Sequence, residues 1–299
     1  MRVYQFRHLG SDTHYRVLGV SDNRQCWQGD SLSECKACIV GMQTMRVISL
    51  SPAVTEILYA IGAGSSIIAR DQWSNWPSEA KNIPCLTGHQ SVDVSAVAAL
   101  KPDLVFTSTL VQRELAAVLK DMDIPVIHQD PRSIADIYDS IVQIGILMHA
   151  EERGNALISD MRSGFLQVKR RSGLFQRKLR LYIEEWHNPP MVSGNWVPDI
   201  AALAGAIPFP LPQRAESRTV TLQEVERFNP EIIVLSICGA GALADKTLIS
   251  DRIGWSDLSA VVKNRVFVID DSLLNRPGPR LVEGASRLYG WLFQVMHQA

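Results

Sequence analysis

The chain has 299 residues, 46% hydrophobic and 20% charged, with 30 Lys and Arg against 31 Asp and Glu. This composition excludes disorder and a disulfide scaffold, and is enough for one large domain or two lobes with cores of their own. A formal charge of −1 excludes the basic footprint of a nucleic-acid binder, and no run approaches the roughly eighteen apolar residues of a membrane-spanning helix.

Residues 1–44 show no sustained period and lack the apolar stretch of about 7–15 residues that a secretory signal needs. They read as a disordered extension, or as translated leader ahead of a start at Met42 or Met45. Cys35-x-x-Cys38, with Cys26, His8 and His14 upstream, has the spacing of half a zinc site, but no second pair completes it. The five cysteines are odd in number and scattered, which predicts reduced thiols.

The pattern changes at Met45. RVISL (46–50) is a buried-strand run, and Ser51-Pro52 opens a helix, since Ser offers an N-cap oxygen and Pro suits the first helical position. That helix ends on Gly62 and Gly64. Strands follow at 66–70, 103–108 and 125–129, alternating with helices at 93–100 and 113–122. The alternation predicts a parallel sheet covered on both faces. Helical pattern then fills Ser133 to about Gly173, with weak breaks near His149 and Gly164. A second alternating set has strands at 179–186, 231–237 and 265–270 and helices at 196–205, 221–228 and 279–296. The plan is α/β: two Rossmann-like lobes, 45–148 and 176–299, joined by one backbone helix over 149–175, with a ligand cleft between them.

Ligands in such folds sit where strand carboxyl ends meet loops. Three post-strand loops stand out: Asp71-Gln72-Trp73-Ser74-Asn75-Trp76-Pro77, Trp186-His187-Asn188-Pro189-Pro190-Met191-Val192-Ser193-Gly194-Asn195-Trp196, and Asp271-Ser272-Leu273-Leu274-Asn275-Arg276-Pro277-Gly278-Pro279-Arg280. Four of the seven Trp lie in these loops or at their ends, and large apolar side chains on loops point to binding.

The segments Arg46–Glu56, Trp73–Pro77, Ala99–Val105, Asn188–Gly194 and Arg276–Arg280, in that order, resemble the helical-backbone class of substrate-binding proteins. These serve ABC importers for cobalamin, haem and iron–siderophores, and the chain most resembles the cobalamin-binding members. The resemblance implies a non-catalytic binder, a monomer, with no intrinsic cofactor, a corrinoid held in the inter-lobe cleft and an ABC permease as partner. Haem or a ferric siderophore is the alternative ligand. A chelatase-like metal-handling enzyme is the alternative class.

By that resemblance Trp73 lies where an aromatic ring covers the ligand. Trp76 either joins it or braces the loop, and Trp186 lies in the cleft loop of the second lobe. Trp196 is expected to cap its own helix onto the sheet. His89 stands where cobalamin receptors carry a tryptophan. A neutral imidazole there is either an axial ligand for cobalt or iron or a hydrogen-bonding partner of the ligand rim; His187 is a second candidate. Arg276 matches a ligand-bonding position, and Ser272, with Asp271, is placed to meet ligand amides. His128 and Cys238 are read as core groups.

No HExxH, Gly-x-Ser-x-Gly or P-loop motif supports catalysis, and the adjacent Glu184 and Glu185 point to opposite faces of a strand. Two departures from the resembling class matter. No signal pattern precedes Arg46, so a cytoplasmic binder competes with a periplasmic one. The positions of the two permease-docking glutamates are Ser95 and Gln223, with Asp93 and Glu224 nearby.

Overall fold

The structure, a computed structural model, describes residues 45–297. The readings of residues 1–44, including the half zinc site at Cys35 and Cys38, lie outside the described residues.

Strand β1 (Val47–Ser49) is buried at every position, as befits the centre of a sheet with both faces covered. Helix α1 (Pro52–Ala60) starts where Ser51 Oγ accepts the Val54 amide at 3.5 Å, with Pro52 at the first helical position. There follow β2 (Ile67–Asp71), β3 (Cys85–Leu86), α2 (Val94–Ala99), β4 (Leu104–Ser108), α3 (Arg113–Asp121) and β5 (Val126–Gln129). The five strands pair in the order β3-β2-β1-β4-β5, all parallel.

Two helices follow, α4 (Ile134–Leu147) and α5 (Glu151–Ser172), of which α4 packs on α1 and α5 also packs on helices of the second half of the chain. They are separated at His149, whose φ of +50° is a left-handed conformation that cannot continue a helix. Gly164 interrupts nothing. A Cβ there would lie 2.4 Å from Val282 Cγ1, so the residue lets the last helix approach α5. The buried stripe Gly154, Ile158, Met161, Phe165 and Val168 on α5 has the three- and four-residue spacing of one helix face. It joins a single core with Ile57 and Ile137 on one side and Leu181, Leu288 and Leu292 on the other.

The second half holds β6 (Arg180–His187), β7 (Pro190–Val192), α6 (Val197–Leu203), β8 (Ile207–Pro208), β9 (Arg218–Thr219), α7 (Leu222–Phe228), β10 (Ile232–Leu235), α8 (Thr247–Ser250), α9 (Ser259–Val262), β11 (Val266–Val268) and α10 (Leu281–His297). Its sheet runs β11-β10-β6-β7-β9, with β8 also on β6. Strands β6, β10 and β11 are parallel, whereas β7 is antiparallel to both β6 and β9. A purely alternating second half was expected, and the hairpin corrects it. Only Asn188 and Pro189 separate β6 from β7, too little chain for a parallel crossover.

The acids beside the two docking positions serve their own helices. Asp93 Oδ1 accepts the Ser95 and Ala96 amides at the start of α2. Glu224 completes a capping box with Thr221 and pairs with Arg218 at 2.9 Å. His128 is only half satisfied: Nδ1 contacts Thr107 Oγ1 at 3.0 Å, while the buried Nε2 has no partner among the described residues.

Candidate functional site

The carboxyl ends of β1, β2 and β4 face those of β10 and β11 across a cavity of about 470 Å³, within the usual size of small-molecule sites. The first lobe lines it with Ser51, Gln72, Trp73, His89 and Thr109; the second lines it with Cys238, Gly239, Asp271, Asn275 and Arg276.

Trp73 is 40% exposed, and its six-membered ring reaches the opposite lobe. A Cβ on Gly239 would stand 3.5 Å from Trp73 Cη2, and Gly239 holds φ at +80°, a conformation costly for other residues. Its loop is pinned by Asp271, whose carboxylate accepts the Gly239 and Gly241 amides at 3.0 and 2.8 Å. Thr109, on the far wall, has φ +65° and ψ 164°, a region that is nearly glycine-only and in which strain accompanies functional sites.

His89 is held from behind. Its Nδ1 lies 2.6 Å from Asp71 Oδ2, and Asp71 is fully buried. The other carboxylate oxygen accepts both the amide and the hydroxyl of Ser74. A carboxylate oxygen accepts this bond when Nδ1 carries the proton, and in that neutral tautomer the lone pair is on Nε2. The ring's contacts among the described residues are made through Nδ1, and its side chain is 24% exposed. Gln112 is wholly buried. Its amide nitrogen donates to the carbonyls of Leu50 and His89 at 2.6 and 2.9 Å, and its oxygen accepts the Ser108 amide at 2.8 Å. One side chain thus ties the ends of β1 and β4 to the His89 loop.

Arg276 crosses between lobes. Its Nη1 donates to Glu56 Oε1 and Asn75 Oδ1, both at 3.0 Å. Glu56 is 3% exposed. Burial raises its carboxyl to about 6, and the charges of Arg276 and Arg280 offset that only in part. Cys238 accepts from Asn275 Nδ2 at 3.1 Å. Desolvation, then the charge of Glu185, pushes its thiol up to about 12, which disfavours the thiolate, and Cys238 is exposed at the cavity rather than a core group.

The periplasmic binding protein family matches residues 47–273, a span that runs from β1 into the loop after β11 and takes in lining residues from both lobes. The chain belongs to the periplasmic binding protein family. Among relatives of this family, a vitamin B12-binding protein of Pectobacterium carotovorum is 29% identical over 274 residues, covering 88% of this chain and 92% of that protein. An uncharacterized ABC transporter substrate-binding lipoprotein of Bacillus subtilis, YvrC, is 28% identical over 251 residues, covering 81% and 78%. The periplasmic haem-binding protein RhuT of Roseiflexus sp. RS-1 shares the fold with a TM-score of 0.75 at 18% identity, covering 85% of this chain and 99% of that one.

Within this member of the family, four of the candidate ligand contacts named from sequence, Trp73, His89, Asp271 and Arg276, line one cavity. Five others do not line it. Trp76, 49% exposed, lies under the Arg280 guanidinium, 4.4 Å from the ring centre. Ser272 bonds Asp270 Oδ1 at 2.6 Å and accepts from Arg280 at 3.0 Å. Trp186 turns its indole NH onto the Asn188 carbonyl at 3.0 Å. The buried His187 Nδ1 has no partner among the described residues. Trp196 is buried and donates to the Leu274 carbonyl at 2.7 Å. The sequence argument missed Asp71, Gln112 and Glu56. Asp71 carried a faint signal, an acid at a strand end directly before an aromatic loop; a lone Gln just ahead of a helix carried none.

Proposed function

We propose that the chain binds a cobalt corrinoid between its lobes and transforms nothing there, as the substrate-binding component of an ABC uptake system. The observation that carries this reading is Trp73, an indole four-tenths exposed in a cavity that His89, Asn275 and Arg276 also line. Such a ring suits a large flat ligand with one apolar face, while His89, Asn275 and Arg276 suit a rim of amides. The vitamin B12-binding relative is consistent with this choice, and the B. subtilis lipoprotein with the transport role. The buried Asp71 behind His89 is the arrangement that orients an imidazole toward a metal centre, so His89 Nε2 is assigned as an axial ligand of the bound metal. Docking to a permease would then use surfaces other than a free glutamate at position 95 or 223.

Haem is the second reading. The same Asp71–His89 pair suits iron as well as cobalt, and RhuT shares the fold. The test is an absorbance titration of the full chain with hydroxocobalamin, methylcobalamin and hemin, paired with calorimetry. Saturable binding of a cobalamin at unit stoichiometry, tighter than that of hemin, is expected. Tighter binding of hemin selects the second reading, and neither heat nor spectral change with any of the three refutes both.

A further inference from the structure

A second surface, remote from the cavity, carries chemistry that ligand binding does not use. From Lys169 to Arg180 the chain holds six cations, Lys169, Arg170, Arg171, Arg177, Lys178 and Arg180, and no acid, within a protein of formal charge −1. Cations in the last turn of α5 complement its negative C-terminal pole, but Arg177 and Lys178 lie beyond that helix. Glu231 pairs with Arg177 and Arg180. Lys169, Arg170, Arg171 and Lys178 have no ion-pair partner among the described residues.

Apolar groups stand among these charges. Leu174 is 84% exposed and Phe293 45%. Beside them a groove of about 670 Å³ runs between the ends of α5 and α10, lined by Phe175, Tyr289, Phe293 and Met296 with Arg171 and Arg177 at its edge. Phe175 and Tyr289 stack at 5.3 Å, which fixes the groove wall. A leucine that protrudes from a polybasic rim has the composition of an interfacial membrane contact: cations at the level of lipid phosphates and an apolar side chain below them.

The position is consistent with such a contact. Arg180 opens β6, which runs parallel to β10 and β11. The cavity lies at the carboxyl ends of those strands, so the basic surface is at the opposite end of the same sheet. A flat surface docked there leaves the cavity mouth unobstructed.

We propose that this end of the molecule, centred on Lys169–Arg171, Leu174 and Lys178, docks onto the surface of an anionic lipid bilayer. Charge complementarity selects the occupant: four unpaired cations require an anionic partner, and the protruding Leu174 requires one with an apolar interior.

The experiment is co-sedimentation of the full chain with phosphatidylcholine vesicles, with and without phosphatidylglycerol, at low and high salt. Binding is expected to the anionic vesicles only and to weaken with salt. The Lys169→Gln/Arg170→Gln/Arg171→Gln/Lys178→Gln variant should lower the partition coefficient by at least about a hundredfold, since each cation near an anionic surface contributes roughly fivefold. Leu174→Ser should lower it by about tenfold. All five positions are exposed, and unchanged circular dichroism and cobalamin titration in both variants would show the rest of the protein intact. Equal sedimentation with neutral vesicles, no sedimentation with either, undiminished binding by the quadruple variant, or retention by RNA in place of vesicles would each overturn the proposal.

Discussion

Replacing Trp73 by Ala tests the ligand surface directly. The indole is 40% exposed in the free protein, and a tryptophan buries about 150–250 Å² when fully covered. A flat ligand laid on the exposed part therefore removes roughly 60–100 Å² from water. At about 25–30 cal/mol per Å² that is ~2 kcal/mol, and favourable ring geometry adds about 0.5–1.5 kcal/mol. A loss of ~3 kcal/mol corresponds to about a hundredfold rise in Kd. Trp73→Phe should keep much of the stacking and cost about tenfold. The fold should survive, because the ring is 40% exposed and belongs to none of the hydrophobic core clusters. Isothermal calorimetry with hydroxocobalamin reads the effect. A change below about threefold in a folded Trp73→Ala protein would sink the argument that this ring covers the ligand.

Three further outcomes are expected. His89→Ala should abolish the shift of the cobalt-sensitive absorbance bands on binding hydroxocobalamin, and Asp71→Asn should weaken binding by about 10–100-fold through loss of the orienting partner; a full shift in the His89→Ala protein excludes axial ligation. Arg252→Ala should destabilise the protein by about 3–5 kcal/mol in urea titration, because Arg252 holds the fully buried Glu184 through two bonds of 2.8 and 2.9 Å; a loss under about 1 kcal/mol contradicts this. Glu56 has a carboxyl raised from 4.5 to about 6, so the folded state favours its proton. Its contribution is fully present below pH 4.5 and is lost as pH rises through 6, a decline of about 2 kcal/mol. Glu56→Gln should remove that decline, seen as a pH-dependent difference between the two proteins' unfolding free energies. Parallel stability curves from pH 4 to 7 would show that Glu56 does not titrate in this range.

The alternating strands and helices were legible because their causes are local. Ser51-Pro52 and Thr221 with Glu224 are capping patterns written within four residues, and β1 and β10 announce themselves as short apolar runs. The interruption near His149 was visible as polar punctuation. Gly164, equally suspect from sequence, continues the helix because a distant contact with Val282 rather than local strain explains it. The β6–β7 hairpin was misread because the apolar run of β6 looks alike in a parallel and a mixed sheet, and only the pairing partner distinguishes them.

The candidate site divides along the same line. That the post-strand loops would carry the cavity followed from the order of elements, whereas the nomination of Trp73, His89 and Arg276 came from the resemblance to the helical-backbone substrate-binding proteins. Which tryptophans face the cavity did not follow: Trp76 and Trp186 sit in comparable loops, yet one is covered by Arg280 and the other turns to its own hairpin. Nor did the sequence join His89 to Asp71, or Arg276 to Glu56, 220 residues apart. Periodicity and capping depend on neighbours within one turn or one pleat, so the chain alone determined the elements and the loops between them. Those distant pairings depend on how α5 and the shared core set one sheet against the other, and only the packed structure decided them.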